Sequence, residues 1–212
     1  MKEKLVIWGA SGHARVVAEI IRLQQQYEIV AFLDDIDKKK YGSEFCGAII
    51  VGGGEKIEKL RQNGVRNLFL AIGDNKARLR LSEMAIKEGF KRPSFIHPSA
   101  VVASDAQIGS GTVVCAGAVV GPKSILGSHV IINTCASVDH ECAIEDGVHI
   151  GPGAHLGGRV SVSRGAWVGI GATISDRVCL GEGSIIGAGA VVLKDIPPRV
   201  VAYGIPAKVI GR

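Results

Sequence analysis

A histidine and a glutamate stand side by side at His140–Glu141, and this pair is the strongest candidate for chemistry in the sequence. Histidine changes protonation state near neutral pH, which makes it the usual general base in enzymes. In a straight strand the two side chains would point to opposite faces. At a turn, Glu141 could hydrogen-bond one ring nitrogen and raise the basicity of the other. Asp139 is a rival for that role, and a solvated turn residue is the alternative reading of His140.

An aliphatic residue recurs at every sixth position from Ile96 to Val192, and this repeat must position the histidine. A six-residue period fits neither a helix nor an ordinary strand, and it predicts short strands stacked as the sides of a parallel β-helix. Each aliphatic side chain points inward, and a small residue two positions earlier fills the remaining space. The glycine that often follows is expected to supply a turn with positive φ. Val138 belongs to the series, so His140 is expected at a corner.

The first 93 residues follow a different pattern, which predicts a small Rossmann-like α/β domain. The expected strands are 4–8, 29–33 and 67–72, with helices after residue 13 and over 76–87, and residues 36–65 are expected to be rich in loops. The second domain, residues 94–212, comprises the β-helix and a C-terminal cap at 200–210. Such a cap is needed because an open coil exposes strand edges and apolar interior.

A glycine-containing turn, GASGH at Gly9–His13, lies between the first strand and the first helix. The amino end of a helix offers free N–H groups to a phosphate. Asp34 and Asp35 follow about 20 residues later, where an acidic residue often binds ribose hydroxyls. NAD binding is therefore a competing hypothesis, although the turn departs from the G-x-G-x-x-G fingerprint. The third reading is a sheet that only caps the solenoid.

The charge and cysteine content of the chain make some classes of function less suitable than others. The net charge of +5 lies in the first 95 residues, with 17 Lys and Arg against 12 Asp and Glu. This bias suits a phosphorylated ligand or simple solubility, and it is too dispersed for nucleic-acid binding. The five cysteines fit no C-x-x-C spacing, and no apolar segment resembles a signal or a membrane span. These features predict a cytoplasmic protein without disulfides.

Metal binding is the other alternative considered. His149 and His155 are six residues apart and therefore in the same register of the repeat. A third ligand with suitable spacing is lacking, so no metal is expected. His97 and His129 are expected to be surface residues.

With these motifs, the chain resembles the hexapeptide-repeat acyltransferases with a left-handed β-helix. It is most similar to the bacterial branch that contains nucleotide-sugar N-acetyltransferases and sialic-acid O-acetyltransferases. The motifs that carry the resemblance are GASGH at 9–13, FLDD at 32–35, AIGDN at 71–75, VDHE at 138–141, His149 and GIPAK at 204–208. The resemblance implies a left-handed coil, although parallel crossovers are usually right-handed. It also implies a homotrimer with acetyl-CoA between neighbouring solenoids.

The same resemblance implies roles for individual residues. His140 would accept the proton, and Glu141 would raise its basicity. Nucleotide-sugar binding is expected at Ser11, Gly12, His13, Asp34, Asp35 and Gly73, and acetyl-CoA binding at His149, Gly158, Ile170, Gly187 and Ala188. The implied activity is acetyl-CoA-dependent N-acetylation of a nucleotide-activated amino sugar, of the UDP-4-amino-sugar type, for surface glycan biosynthesis. The alternatives are an O-acetyltransferase acting on a sialic-acid-type sugar and a non-catalytic nucleotide-sugar binding protein.

Overall fold

A computed structural model describes residues 2–211, so Arg212, at the end of the predicted second domain, lies outside the described residues. The chain divides into two compact units, Met1–Phe95 and Ile96–Arg212. This division falls two residues after the boundary expected from the sequence. The roles assigned to the two domains stay predictions.

The first unit is a parallel sheet with helices, and its doubly wound character was predicted. The strands are β1 (Glu3–Trp8), β2 (Tyr27–Leu33), β3 (Glu44–Phe45), β4 (Ala48–Gly52) and β5 (Asn67–Leu70), and the helices are α1 (Gly12–Gln24), α2 (Ile57–Gln62) and α3 (Asn75–Lys87). The sheet order is β3-β4-β2-β1-β5, in which only the β3–β4 pair is antiparallel among the described residues. Strand β1 is an interior strand between β2 and β5, and Leu5–Trp8 is buried on both faces, which explains its uninterrupted apolar run.

Residues 36–65 were expected to be rich in loops, and the structure has more regular elements there than this prediction implied. They contain the β3–β4 hairpin, helix α2 and two 3₁₀ turns at Lys38–Lys40 and Gly54–Lys56. The hairpin was missed because β3 has two residues and β4 has five, too few to show a period. Strand β4 is held instead by its parallel pairing with β2, which local sequence does not reveal. Within residues 2–211 no helix combines the length and the apolar character that a membrane span requires.

The second unit is a parallel β-helix, as predicted. Two-residue strands recur every six residues: β6 (Phe95–Ile96), β7 (Val101–Val102), β8 (Gln107–Ile108), β9 (Val113–Val114), β10 (Val119–Val120), β11 (Ile125–Leu126), β12 (Ile131–Ile132), β13 (Ser137–Val138), β14 (Ala143–Ile144), β15 (His149–Ile150), β16 (His155–Leu156), β17 (Ser161–Val162), β18 (Trp167–Val168), β19 (Thr173–Ile174), β20 (Cys179–Leu180), β21 (Ile185–Ile186) and β22 (Val191–Val192). Each strand pairs with the strand 18 residues away, so one coil has 18 residues and three sides.

The three sides and their corners are named here for later use. Face 1 has the order β22-β19-β16-β13-β10-β7, face 2 the order β20-β17-β14-β11-β8, and face 3 the strands from β21 to β6. Corner A, between faces 1 and 2, comprises 121–124, 139–142, 157–160 and 175–178. Corner B lies between faces 2 and 3, and includes 127–130 and 145–148. Corner C, between faces 3 and 1, includes 115–118, 133–136, 151–154, 169–172 and 187–190. Face 3 ends in an antiparallel pair, β23 (Val201–Gly204) and β24 (Ala207–Gly211), which forms the cap.

The glycines that follow the inward aliphatic residues have a different purpose from the one expected. Gly121 does not have a positive φ, and the left-handed angle lies two residues later, at Lys123 with φ 57°. A Cβ on Gly121 would lie 2.8 Å from the backbone nitrogen of His140 in the next coil. The expectation of a turn glycine was therefore wrong at this position. Glycine is required there because successive coils approach too closely for a side chain.

Small polar residues inside the prism bond to the next coil. Ser124 Oγ donates to the carbonyl of Asp139 at 2.7 Å, and Thr112 Oγ1 donates to the carbonyl of Gly127 at 2.8 Å. The Cys142 thiol donates to the carbonyl of Gly157 at 3.2 Å. These bonds satisfy polar groups that would otherwise be costly to bury.

The buried cysteines should be inert in the folded protein. Cys115 is fully buried, and burial raises the pKa of its thiol to about 12. At pH 8 only about one molecule in ten thousand would carry the reactive thiolate. We expect iodoacetamide to leave Cys115 unmodified in the native protein, as measured by mass spectrometry of the peptides, and to modify it after denaturation in guanidinium. Rapid native labelling of Cys115 would contradict the packing described here.

Candidate functional site

His140 lies at corner A, and hydrogen bonds to both neighbouring coils fix its turn. The Glu141 amide donates to the carbonyl of Pro122 in the preceding coil at 2.8 Å. The His140 carbonyl accepts from the Arg159 amide of the following coil at 2.9 Å. The backbone that carries the imidazole is therefore held from both sides.

The imidazole and its two acidic neighbours make different contacts. His140 Nδ1 lies 3.0 Å from Glu141 Oε2, whereas Asp139 Oδ1 accepts from the backbone N–H of His140 at 2.7 Å. Glu141 thus faces the ring and Asp139 faces the main chain. Because an ionised carboxylate can only accept, the bonded Nδ1 carries the proton and Nε2 has the free lone pair. This tautomer is the one a general base at Nε2 requires.

Arg159 also belongs to this cluster, and the sequence reasoning missed it. Its Nη2 and Nε lie 2.9 and 3.1 Å from Glu141 Oε2, the same oxygen that faces the imidazole. The hydrogen bond with His140, and then the one from Arg159, hold the pKa of Glu141 below its usual value. The carboxylate is therefore ionised at neutral pH. The signal that could have found Arg159 is its position 18 residues, or one coil, after Glu141.

Gly158 lies directly against the imidazole. A Cβ on this residue would stand 2.5 Å from Nε2 and 2.7 Å from Cε1 of His140. The resemblance assigned Gly158 to acetyl-CoA binding, and the structure places it beside the nitrogen that would accept the proton. Any side chain here would displace the ring.

The other residues expected to bind acetyl-CoA lie elsewhere on the prism of one chain. His149 is buried on face 3, where Nε2 lies 3.1 Å from Asn133 Nδ2 and the ring packs 4.2 Å from that of Trp167. Ile170, Gly187 and Ala188 belong to corner C, and the Ile170 side chain is exposed. Of the residues predicted to bind acetyl-CoA, Gly158 lies against the predicted base His140 within one chain, while the other four lie at corner C or on face 3.

The remaining histidines make local contacts. His155 Nδ1 lies 2.8 Å from Ser137 Oγ on face 1. Across residues 2–211, no group of three or more His, Cys, Asp or Glu side chains is arranged to hold a metal ion. His129 was expected at the surface, and this was wrong because the ring is only 2% exposed. It packs over Gly111 of the preceding coil, where a Cβ would stand 2.5 Å from the ring.

The first unit has a cavity of about 240 Å³ at the carboxyl ends of β1, β2 and β5. It is lined by Trp8, Gly9, Ala10, Ser11, Asp34, Asp35, Ile36, Lys40, Ala71, Ile72, Gly73, Ala77, Arg80 and Leu81. In open α/β sheets, ligands bind at such carboxyl ends, where the strand order reverses. Four predicted residues line the cavity, while Gly12 and His13 lie in the first turn of α1. Lys40 and Arg80 were not predicted, because nothing in their spacing marks them.

The two aspartates of this cavity form hydrogen bonds or ion pairs with residues of the loops around it. Asp34 Oδ1 accepts from the amide of Ile36 at 2.8 Å, and Asp34 Oδ2 lies 3.6 Å from Lys40 Nζ. Asp35 accepts from Trp8 Nε1 at 2.7 Å and from the Gly54 amide at 2.8 Å. Each carboxylate has about four acceptor positions, so both retain capacity for a ligand hydroxyl.

A buried arginine shapes the opposite wall. Arg78 is 1% exposed, and its guanidinium donates to the carbonyls of Ile72 and Gly73 at 2.8 and 3.0 Å and to Asn75 Oδ1 at 2.9 Å. Burial, and then the charge of Arg78, lower the pKa of His13 to about 4. His13 is therefore neutral at physiological pH and can both donate and accept hydrogen bonds.

A larger cavity, of about 380 Å³, lies along face 2 and corner B. It is lined by Ile125, Gly127, Ala143, Ile144, Glu145, Asp146 and Arg164. None of the predicted site residues belongs to this lining, so the sequence provides no role for this cavity.

Comparisons with known proteins show which proteins this two-part chain is similar to. Residues 4–85 match the PglD N-terminal domain family. The chain is 39% identical to perosamine N-acetyltransferase of Caulobacter crescentus, solved as a histidine variant with CoA and GDP-perosamine; the match covers 99% of this chain and 97% of that one, with a TM-score of 0.94. The acetyltransferase domain of PglB from Neisseria gonorrhoeae is 40% identical over 99% of this chain and all of that one, with a TM-score of 0.92.

A curated relative is UDP-N-acetylbacillosamine N-acetyltransferase of Bacillus subtilis, 39% identical over 118 residues. This match spans 54% of the chain and about half, 52%, of the relative's length. The full-length structural matches are decisive for classification. The chain belongs to the hexapeptide-repeat acyltransferases, in the branch of the sugar N-acetyltransferases.

The depressed pKa of His13 predicts a dependence of stability on pH. The unfolded chain binds this proton more readily, so stability is lost as pH falls from about 6.5 to about 4. The contribution is at most about 3 kcal/mol. We expect a His13→Gln variant to lose less stability between about pH 7 and pH 5 than the parent. The measurement is urea unfolding followed by Trp8 emission in a Trp167→Phe background. His97→Gln is the control, and an equal pH dependence in the His13 variant would contradict the interpretation.

The contact between Gly158 and the imidazole predicts a specific loss of activity. We expect Gly158→Ala to lower kcat by about 10- to 100-fold, because the added methyl group moves Nε2. The melting temperature should change little, since the backbone of Gly158 has no positive φ. In a His140→Ala background the same substitution should have almost no further effect on kcat, which tests the coupling. Additive losses in the double variant would show that Gly158 acts elsewhere.

Proposed function

We propose that this protein transfers the acetyl group of acetyl-CoA to the amino group of a nucleotide-linked amino sugar. The observation that carries the proposal is the hydrogen bond between His140 Nδ1 and Glu141 Oε2 at a solenoid corner. It leaves Nε2 able to take a proton, in a chain whose full-length structural relatives are sugar N-acetyltransferases.

The proposed reaction is a direct attack. The sugar nitrogen forms a bond to the thioester carbon, and the carbon–sulfur bond breaks as the CoA thiolate leaves. His140 Nε2 accepts the proton that the nitrogen loses, and Glu141 stabilises the resulting imidazolium. No acyl-enzyme is required, and the two buried thiols, Cys115 and Cys142, have raised pKa values that make them poor nucleophiles.

The nucleotide part is assigned to the cavity of the first unit. Lys40, Arg80 and the first-turn amides of α1 offer positive charge for a pyrophosphate, and Asp34 and Asp35 offer acceptors for ribose hydroxyls. Ser11 is the N-cap residue of α1, and its side chain makes no capping hydrogen bond. The structures of relatives contain GDP-perosamine in one case, and the curated relative is named for a UDP-sugar. The identity of the nucleotide base is therefore left to the substrate panel described below.

We further propose that the acetyl-CoA site is shared between copies in a homotrimer. Gly158 lies at corner A, while Ile170, Gly187 and Ala188 lie at corner C and His149 lies on face 3. This separation supports a site in which corner A of one copy meets the other surfaces on its neighbour. The PglB domain was solved with acetyl coenzyme A, and perosamine N-acetyltransferase with CoA.

The test is turnover of the full chain with acetyl-CoA and a panel of UDP-, GDP- and dTDP-linked amino sugars, free sialic acid and CMP-sialic acid. We expect an amide product with at least one amino sugar, detected as CoA thiol release and a mass gain of one acetyl group. His140→Ala should lower kcat by about 10²- to 10⁴-fold with a nearly unchanged KM for acetyl-CoA. His97→Ala is the matched control, since this histidine is outside the proposed site and its ring is hydrogen-bonded to Ser99.

Each result has a defined meaning. Base-labile ester products formed only from sialic acid would replace the proposal with O-acetylation. Thermal stabilisation by nucleotide sugars without any turnover would indicate a binding protein. Full activity of His140→Ala with every substrate turned over would remove His140 from the mechanism.

A further inference from the structure

We propose that Arg159 is a positioning residue of the acetyl-transfer site, which holds the Glu141 carboxylate against His140 and limits how strongly that carboxylate stabilises the imidazolium. The inference deepens the proposed function and rests on it for its kinetic test. It concerns a side chain one coil away from the pair that the sequence singled out.

The first argument is that two donor side chains share one oxygen. His140 Nδ1, Arg159 Nη2 and Arg159 Nε lie 3.0, 2.9 and 3.1 Å from Glu141 Oε2. The guanidinium fixes the carboxylate through two N–H groups, which a freely rotating ammonium could not match. A carboxylate oxygen that already receives these bonds has less negative charge to offer the imidazole. Arg159 therefore orients Glu141 and weakens its pull on the proton.

The second argument is that the backbone fixes Arg159 above His140. The Arg159 amide donates to the His140 carbonyl at 2.9 Å, so the two turns are in register. Arg159 has a left-handed backbone with φ 61°, as Glu141 does with φ 59°. Equivalent turn positions in successive coils thus carry side chains of opposite charge, and the repeat places these two side chains one coil apart.

Other charged groups near this corner lie in the coil of Glu141, in the coil before it and in the coil after Arg159. The Asp139 carboxylate accepts from the His140 amide, and Lys123 is in the preceding coil, where its amide donates to Asp105. In the coil after Arg159, Arg177 pairs with Asp176 at 3.4 Å. Among the described residues, Arg159 is the one arginine or lysine that forms an ion pair with Glu141.

The direction of the effect follows from charge. The imidazolium is favoured by Glu141 and disfavoured by the positive charge of Arg159, which also neutralises part of Glu141. Removing Arg159 should therefore favour the protonated ring and deplete the base at neutral pH. A merely structural role would lower stability or kcat at every pH without moving the profile.

The experiment measures kcat/KM against pH for the full chain and for Arg159→Gln. We expect the acid limb of the profile to move to higher pH by about 0.5 to 1 unit, a modest shift because the cluster is partly solvated. We also expect a lower plateau, because Glu141 is no longer held. Arg159→Lys should retain the original acid limb while keeping a reduced kcat, since it preserves the charge but not the two-pronged contact.

Arg177→Gln is the matched control. It removes the same charge from the equivalent turn position one coil further on, where φ is 59°. The proposal is overturned if Arg177→Gln moves the acid limb as far as Arg159→Gln does. It is also overturned if Arg159→Gln leaves the limb in place while Glu141→Gln moves it, or if Arg159→Lys behaves like Arg159→Gln in both the limb and the plateau. If Arg159→Gln fails to fold, Arg159→Lys alone tests the proposal. A kcat of Arg159→Lys equal to that of the wild type would then contradict the positioning role.

A second readout separates this inference from the proposed function. The ring of His140 can be titrated by NMR in protein labelled with ¹³C-histidine, with its resonance assigned by its loss in His140→Ala. We expect its midpoint to move to higher pH in Arg159→Gln and to stay in Arg177→Gln. If no amino sugar is acetylated but this shift occurs, the proposed function fails and the Arg159 coupling stands. If turnover occurs without the shift, the coupling fails and the function stands.

Discussion

The close stacking of successive coils is the constraint on which the solenoid and its candidate site depend. Parallel ladder bonds place neighbouring strands about 4.8 Å apart, and corner bonds such as Arg159 N–H to His140 C=O extend this contact around each turn. Gly121 has no side chain because the backbone of the next coil occupies that space. A consequence is that residues 18 positions apart in the sequence are neighbours in the structure. The turn that carries His140 is held in this way between two coils, because the Pro122 carbonyl accepts from the Glu141 amide on one side and Gly158 lies against the imidazole on the other.

This constraint explains which parts of the structure the sequence could predict. The aliphatic period requires every sixth side chain to enter the same narrow interior, so the β-helix and the corner position of His140 followed directly. Handedness came from the resemblance alone, since backbone chirality favours the other hand for crossovers. The pairing of Arg159 with Glu141 was missed, although adding one coil to residue 141 identifies its neighbour. The period gives proximity, but which side chains turn toward each other depends on rotamers that the repeat does not encode.

The first unit illustrates a different limit. Its strands were visible as apolar runs, yet the tasks of individual polar residues were not. Asp35 was singled out for a ligand, and the structure engages both its oxygens with Trp8 and the Gly54 amide. Arg78 would be placed on the solvent face of a helix by any sequence argument, because arginine is seldom buried. It is buried here because backbone carbonyls of the loop at 72–73 receive its donors. Such an arrangement depends on where a loop folds back, which local sequence does not record.

The turn positions of the solenoid give an independent reason to place function at corner A. From Ile108 to Ile186, the third residue after each inward aliphatic has a left-handed backbone, which costs about 1 kcal/mol or more for a residue other than glycine. At corner C this position is mostly glycine, as at Gly117, Gly153, Gly171 and Gly189. At corner A it is Lys123, Glu141, Arg159 and Arg177 in four successive coils, each with positive φ. Strain of this kind persists where side chains have a use that glycine lacks. The charged column, and not a lone histidine, is therefore the feature that distinguishes this edge of the prism from the others.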